Sequence, residues 1–320
     1  MAWVRSLARR GLYRARRSVV HFSHQLTDPA PKVLILLYHR VVPEVGWNVF
    51  ATKISERTFR RQLEWIGRHY RVTTLEEAFH GATRVRGDVR AVLTFDDGYQ
   101  DNYEVAWPIL RRLGLPAAFF IATDYVGTDR PLWDWAVAGH LHRQPQVTEV
   151  RVDGQVLRQR SRERRDTFIW RVIDGLKSAP RATLDQVLKG FSCEGARPAE
   201  PFERCMRWDQ LQALQRAGME IGAHSGSHRS LCRLAVEDTG DEIARSKATL
   251  ERALGRPCRS FALPFGSARD YTAATLEAVQ AAGFARCLLN VHGYNHVEPA
   301  PFALKRIIMT EETPLRWLLG

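Results

Sequence analysis

An apolar run, Ala91-Val92-Leu93-Thr94-Phe95, stops abruptly at Asp96-Asp97-Gly98-Tyr99. The run reads as a buried strand, and the glycine behind two carboxylates reads as a tight turn that ends it. Asp-Gly is also a common hairpin signal, so on its own the stretch admits a plain polar turn. In an α/β fold, however, the carboxyl end of a buried strand is where loops gather and chemistry is done. Successive residues leaving a strand point to different sides, so Asp96 and Asp97 can hold separate positions in one pocket.

A second stretch favours the chemical reading. Met219-Glu220-Ile221-Gly222-Ala223-His224-Ser225-Gly226-Ser227-His228 is another short strand pattern ending in polar residues, with two histidines four apart. A helical turn after the strand would bring both imidazoles to one ion. A lone histidine is more often structural. Two histidines and an aspartate from separate strand ends make a three-ligand site with a position left for water, as catalytic zinc requires. Ser225, Gly226 and Ser227 between them are small enough to leave room for a substrate.

Thr94-Phe95-Asp96-Asp97-Gly98-Tyr99 and His224-Ser225-Gly226-Ser227-His228 resemble the first two motifs of the NodB-type polysaccharide deacetylases, the fourth carbohydrate-esterase family. The third motif of that family is Arg-x-Pro followed by Tyr or Phe. Phe261-Ala262-Leu263-Pro264-Phe265-Gly266 stands in its place, with Ala262 where the arginine would be, and is similar to the branch that reads Phe-Ala-Tyr-Pro-Tyr-Gly. The resemblance runs from about Lys32 to Ile308 and is least distinctive in the middle of the chain.

The rhythm of the chain agrees with an α/β unit. Strand patterns at residues 33 to 39, 71 to 74, 91 to 95, 116 to 122, 222 to 224, 260 to 263, 286 to 290 and 304 to 309 are mostly followed by helical ones, at 58 to 70, 75 to 80, 101 to 113, 208 to 217, 236 to 254 and 271 to 282. Such alternation favours one α/β domain over two, here residues 31 to 320, and about eight strands fit a distorted (β/α) barrel, the fold the resemblance also implies. Between about residues 125 and 207 the rhythm is lost to charge and helical patterns, an expected insertion of helices over one face of the barrel. Trp133 and Trp135 open it. They could stack on a sugar ring, but pinning the insertion to the body is the commoner use of such residues.

Net charge is +12, and six arginines in the acid-free first 27 residues supply half of it. This arm, residues 1 to 30, interleaves Arg5, Arg9, Arg10, Arg14, Arg16 and Arg17 with Trp3, Leu7, Leu12, Tyr13 and Phe22 and has no long apolar core. It therefore reads neither as a secretory signal nor as a spanning helix. A basic amphipathic helix touching an anionic membrane is one expectation, and a solvated or domain-packed helix is the other. No segment resembles a nucleic-acid module, so a nucleic-acid partner is not expected. Five cysteines, an odd number without CxxC spacing, suggest reduced thiols and a cytoplasmic enzyme, at or near the inner membrane surface.

Hydrolysing an N-acetyl amide requires an activated water, a stabilised oxyanion and a proton for the departing amine. The resemblance implies a divalent metal on Asp97, His224 and His228, zinc first with cobalt or nickel as alternatives, and Asp96 as the base. Spacing alone does not distinguish the two aspartates. It also implies the backbone N–H of Phe265 as an oxyanion donor. The family's Leu-x-His motif is not met around His292, whereas Leu37-Tyr38-His39 looks like the circularly permuted branch, so His39 is favoured over His292 as proton donor. Arg306 on the last strand is a candidate for the orienting role that Ala262 cannot fill. The expected function is removal of N-acetyl groups from an exopolysaccharide or cell-envelope glycan. Hydrolysis of another non-peptide C–N bond and a non-catalytic glycan-binding homologue are the alternatives.

Overall fold

A computed structural model describes residues 32–79, 89–191, 203–296 and 300–318. The basic arm and Cys193 lie outside the described residues. In chain order, β1 (Lys32–Tyr38) leads to β2 (Arg40–Val42) and β3 (Lys53–Ser55), which pair with each other. Next come α1 (Glu56–His69), β4 (Arg71–Val72), α2 (Leu75–Phe79) and β5 (Val89–Phe95). Helix α1 starts where the sequence places a cap: the Ser55 hydroxyl accepts the Thr58 N–H at 3.2 Å. Its buried face, Phe59, Leu63 and Ile66, repeats at helical spacing.

The crossover after β5 opens with a π-helical turn, Asn102–Ala106, before α3 (Trp107–Leu113). β6 (Ala118–Ile121) follows, then the insertion: α4 (Trp133–Arg143), β7 (Glu149–Val152), β8 (Gln155–Arg158), α5 (Arg165–Lys177) and α6 (Arg181–Gly190). The insertion is thus not purely helical. β7 and β8 form a hairpin about Asp153-Gly154, both at positive φ, 47° and 76°. That pair is the turn signal of a primed hairpin. The barrel resumes with α7 (Trp208–Arg216), β9 (Glu220–Ala223), α8 (Val236–Leu254), β10 (Ser260–Ala262), α9 (Ala273–Ala281), β11 (Arg286–Leu288), β12 (Asn295–His296) and β13 (Ile307–Ile308).

Among the described residues, β11, β10, β9, β6, β5 and β1 lie side by side in parallel. Residues 304 to 308 close the ring. Leu304 bridges Leu288 of β11, and Ile307 and Ile308 pair with Leu36 and Leu37 of β1. The last strand is therefore shorter than the expected 304 to 309, because the segment divides its hydrogen bonds between two neighbours.

Alternation along the strands sorts the core into two layers. Val33 and Ile35 of β1, Val92 of β5, Ala118 and Phe120 of β6, Ala262 and Leu288 pack together inside the barrel. Leu34, Leu36, Ala91, Leu93, Phe95, Phe119 and Phe261 face the surrounding helices. Gly222 occupies an inward position on β9, where a Cβ would lie 2.5 Å from the Phe120 ring. Continuing this parity past the strand ends aims His39, Asp96 and His224 at the same mouth.

Candidate active site

Asp97, His224 and His228 are all buried, and each offers one ligand atom such that the three atoms lie within 4.8 Å of one another. Nε2 of His224 and of His228 stand 3.3 and 3.2 Å from Oδ1 of Asp97. The Nδ1–H of His224 donates to the Ala262 carbonyl at 2.8 Å, which frees Nε2 for an ion. Oδ1 of Asp97 is buried without a hydrogen-bond partner, as suits an oxygen meant for a cation. Two imidazole nitrogens and a carboxylate match the donor set of a catalytic zinc or similar divalent ion.

The convergence differs from the expected helical turn. The chain after β9 bends through left-handed residues, with φ of 62° at Ser225 and 56° at His228. Asp97 itself has φ of 74°; its place in the alternation would face the helices, and the left-handed backbone turns it inward. Of the seven non-glycine residues at positive φ among those described, Asp97, Ser225, His228 and Phe265 belong to this site. Backbone strain persists where the surroundings hold it. Here Glu242 of α8 accepts the amides of Gly226 and Ser227 at 3.0 and 2.9 Å and the Ser227 hydroxyl at 2.8 Å.

Asp96 faces the same cavity and is gripped from the closing segment. Both terminal nitrogens of Arg306 donate to its two oxygens at 2.7 Å, and Nε of Arg306 donates to the Leu289 carbonyl at 3.0 Å. Burial would push the Asp96 carboxyl up; Arg306, then His224, bring it below its ordinary value. Burial likewise opposes ionisation of Asp97, and His228 and His224 outweigh it, holding that carboxyl well below the usual range. His228 is pulled the other way, above its ordinary value: burial lowers it, but Asp97 and Asp134 raise it more.

His39 follows Tyr38, whose carbonyl accepts the Asp96 N–H at 3.1 Å, so the imidazole sits beside Asp96 at the cavity wall. The Asn102 amide holds the His39 carbonyl at 2.7 Å and touches Asp101 Oδ1 at 2.8 Å, and Asp101 is in turn ion-paired with Arg40 at 2.9 Å. Burial lowers the His39 pKa, offset in part by Asp97 and Asp96. His292, by contrast, is exposed on the loop after β11 and does not line the cavity. Phe265 has φ of 61°, and its N–H has no acceptor among the described residues. Gly266 behind it cannot be larger, since a Cβ would lie 2.8 Å from the Asn290 nitrogen.

The cavity these residues share has a volume of about 430 Å³, within the range of small-molecule sites. A family model described as polysaccharide deacetylase matches residues 84–287, well over half of the 320-residue chain. The chain belongs to the polysaccharide deacetylase family. Two curated relatives, poly-β-1,6-N-acetyl-D-glucosamine N-deacetylases of Staphylococcus aureus and Staphylococcus epidermidis, are 30% and 29% identical over 34% and 30% of this chain. The matches span only 44% and 37% of those relatives' own lengths. Among solved structures, the deacetylase PplD of Streptococcus pyogenes superposes with a TM-score of 0.59 at 17% identity, covering 90% of this chain and 96% of that one. IcaB of Ammonifex degensii superposes with a TM-score of 0.57 at 21% identity, covering 90% and 94%. At such identities the likeness is one of fold, a (β/α) barrel of the deacetylase type.

Three features of this deacetylase-family site are not apparent in its sequence motifs. Asp134 is buried with Oδ1 3.8 Å from Nδ1 of His228, at the start of α4, between the two tryptophans that the sequence does single out. Trp133 and Trp135 are themselves buried, 2% and 5% exposed, and Trp133 donates its indole N–H to the His228 carbonyl at 2.8 Å. Trp133 pins the insertion to the loop of His224 and His228, whereas Trp135 packs with Tyr99, Ala122 and Cys205. Cys205, remote in sequence from the histidine motif, lies beneath Asp97, whose carbonyl accepts its thiol at 3.7 Å. It supports the turn and is not among the candidate ligands. The four cysteines described, 205, 232, 258 and 287, are all free thiols.

Proposed function

We propose that the chain is a metal-dependent N-deacetylase of glycans, with zinc as the native ion and an N-acetylglucosamine polymer as substrate. The observation that carries this reading is the buried Asp97–His224–His228 cluster with a second carboxylate, Asp96, held beside it by Arg306. The relatives named as poly-β-1,6-N-acetyl-D-glucosamine N-deacetylases support the substrate class.

A divalent ion on the three ligands would polarise the acetamide carbonyl and make a nearby water more acidic. Asp96, kept ionised by Arg306, takes a proton from that water. The Phe265 N–H, fixed by the turn at Pro264 and Gly266, donates to the oxygen as negative charge develops on it. His39, at the end of the neighbouring strand, delivers a proton to the sugar nitrogen as the C–N bond breaks. Arg306 stands just before β13, away from the place of the arginine in the family's third motif, but meets the same need, an oriented and ionised base. A non-catalytic glycan binder would have no use for that pair.

Purified protein is expected to contain about one divalent ion per chain and to release acetate from N-acetylglucosamine oligomers, with activity lost to a chelator and restored by zinc, cobalt or nickel. His224→Ala or His228→Ala should each remove the ion. Absence of bound metal together with no response to added ions overturns the reading. Metal binding without release of acetate from any glycan points instead to another C–N substrate.

Asp134→Asn should weaken metal affinity by roughly tenfold, because the buried negative charge 3.8 Å from Nδ1 of His228 is lost. Competition against a chromophoric chelator measures this directly. Unchanged affinity would mean that Trp133 and the left-handed backbone suffice to hold the ring.

A further inference from the structure

Resting on the reading above, we propose that the insertion and the closing strand together build a second sugar subsite for an uncharged pyranose next to the one being deacetylated. Trp170 of α5 forms one wall, Ile308 of β13 another, and Thr52 supplies the polar contact.

Among the described residues only three large apolar side chains are exposed: Trp170 at 42%, Ile308 at 40% and Val236. Two of these three line the cavity that holds Asp96 and the candidate metal ligands. Exposed apolar groups gathered at the rim of one cleft point to a ligand more than scattered ones do. Trp170 is also already oriented. Its indole N–H donates to the Val49 carbonyl at 3.0 Å, and the Phe50 ring meets it edge-on at 5.0 Å. Its polar atom is thus satisfied and its rotamer held, so stacking against it costs little further ordering. The C–H face of a pyranose is the apolar surface that suits an indole plane.

The hydrogen-bonding inventory agrees. Oγ1 of Thr52 and Oδ1 of Asn290 are buried, lack any hydrogen-bond partner among the described residues, and belong to residues lining the same cavity. Buried polar atoms are seldom left unpaired, and sugar hydroxyls would satisfy both. Charge at the rim is internally balanced: Lys177 lies 3.8 Å from Asp270 and 3.9 Å from the centre of the Phe265 ring. Ser267 and Ser230 also donate to Asp270. A neutral sugar fits such a rim better than a uronate or a phosphorylated one.

The test compares kcat/KM for a β-1,6-linked N-acetylglucosamine pentamer with that for the N-acetylglucosamine monosaccharide, in the metal-loaded full chain. Trp170→Ala should cut the pentamer-to-monosaccharide ratio about tenfold, the size of one lost aromatic stack, and Trp170→Phe should keep most of it. Thr52→Val and Ile308→Thr should lower the ratio in the same direction and do not depend on the stability of the Trp170 variants. If both substrates lose equally in every variant, these residues are structural and the subsite is wrong. An unchanged ratio also overturns it. If the unaltered protein deacetylates neither substrate, the proposed activity is what fails; pentamer binding to Asp96→Asn protein, with and without Trp170→Ala, then decides the subsite by itself, equal affinities sinking it.

Discussion

Asp96→Asn is expected to lower kcat by about 10²- to 10⁴-fold, the usual contribution of a general base, while leaving the metal content of the protein unchanged. The amide has the carboxylate's shape and no useful basicity, and Asp96 is not one of the three clustered ligands. Asp97→Asn should behave differently, losing metal along with activity, since its Oδ1 is the atom both imidazoles face. Metal analysis beside turnover separates the two. Equal metal loss in both variants would mean that the carboxylates share the ion or exchange roles. Asp96→Asn should also lower the melting temperature, because Arg306, fully buried, keeps its charge and loses its partner.

The second large effect is expected at Arg306. Arg306→Met removes both 2.7 Å hydrogen bonds to Asp96 and leaves a buried carboxylate unpaired. Breaking a buried pair in this way costs roughly 3 to 5 kcal/mol of stability, and loss of the base's orientation should cost kcat about 100-fold. The pH profile should move too. Burial is the largest influence on Asp96 and acts upward, while Arg306 is the leading opposing one. Without the guanidinium the carboxyl pKa rises, so the acid limb of kcat/KM shifts to higher pH. In the unaltered protein the depressed pKa means the opposite for folding: the pair's stabilisation is present above the unfolded carboxyl pKa and is lost as pH falls through the lowered folded value. Arg306→Lys should lie between, keeping the charge but not the two-point grip. In Asp96→Asn/Arg306→Met the stability losses should sum to much more than the double variant shows, since neither partner then remains as an unpaired charge. Normal kcat in Arg306→Met would remove the arginine from the mechanism.

Much of the architecture was legible because the apolar patterns are long and regular. Helix α8 begins at Val236 and ends at Leu254, where the sequence places it, with Gly255 at φ of 64° closing it. Helix α1 was marked by its cap and its 3.6-residue stripe. The hairpin of β7 and β8 departs from the purely helical insertion that the charge pattern suggests, since charged residues mask its short alternation around Asp153-Gly154. The last strand is shorter than its hydrophobic run, because run length does not reveal a segment shared between two partners.

The site divides along a similar line. Period-two alternation, a property of any strand, already sends His39, Asp96 and His224 to one face at the ends of β1, β5 and β9, and the sequence by itself determined that these groups could meet. The spacing of His224 and His228 and the family resemblance already name Asp97 and His228 as ligands, but alternation alone carries neither side chain to that mouth. Both lie off the regular alternation and reach the ion position only through left-handed backbone that Glu242, Trp133 and Cys205 hold in place from elsewhere in the chain. Nor could the sequence decide which cation would serve Asp96 in place of the motif arginine. That depends on the ring closing, which sets residue 306 beside residue 96 across 210 positions of chain. Local propensity acts over a few residues; which distant side chains satisfy a buried charge is decided by how the whole barrel packs.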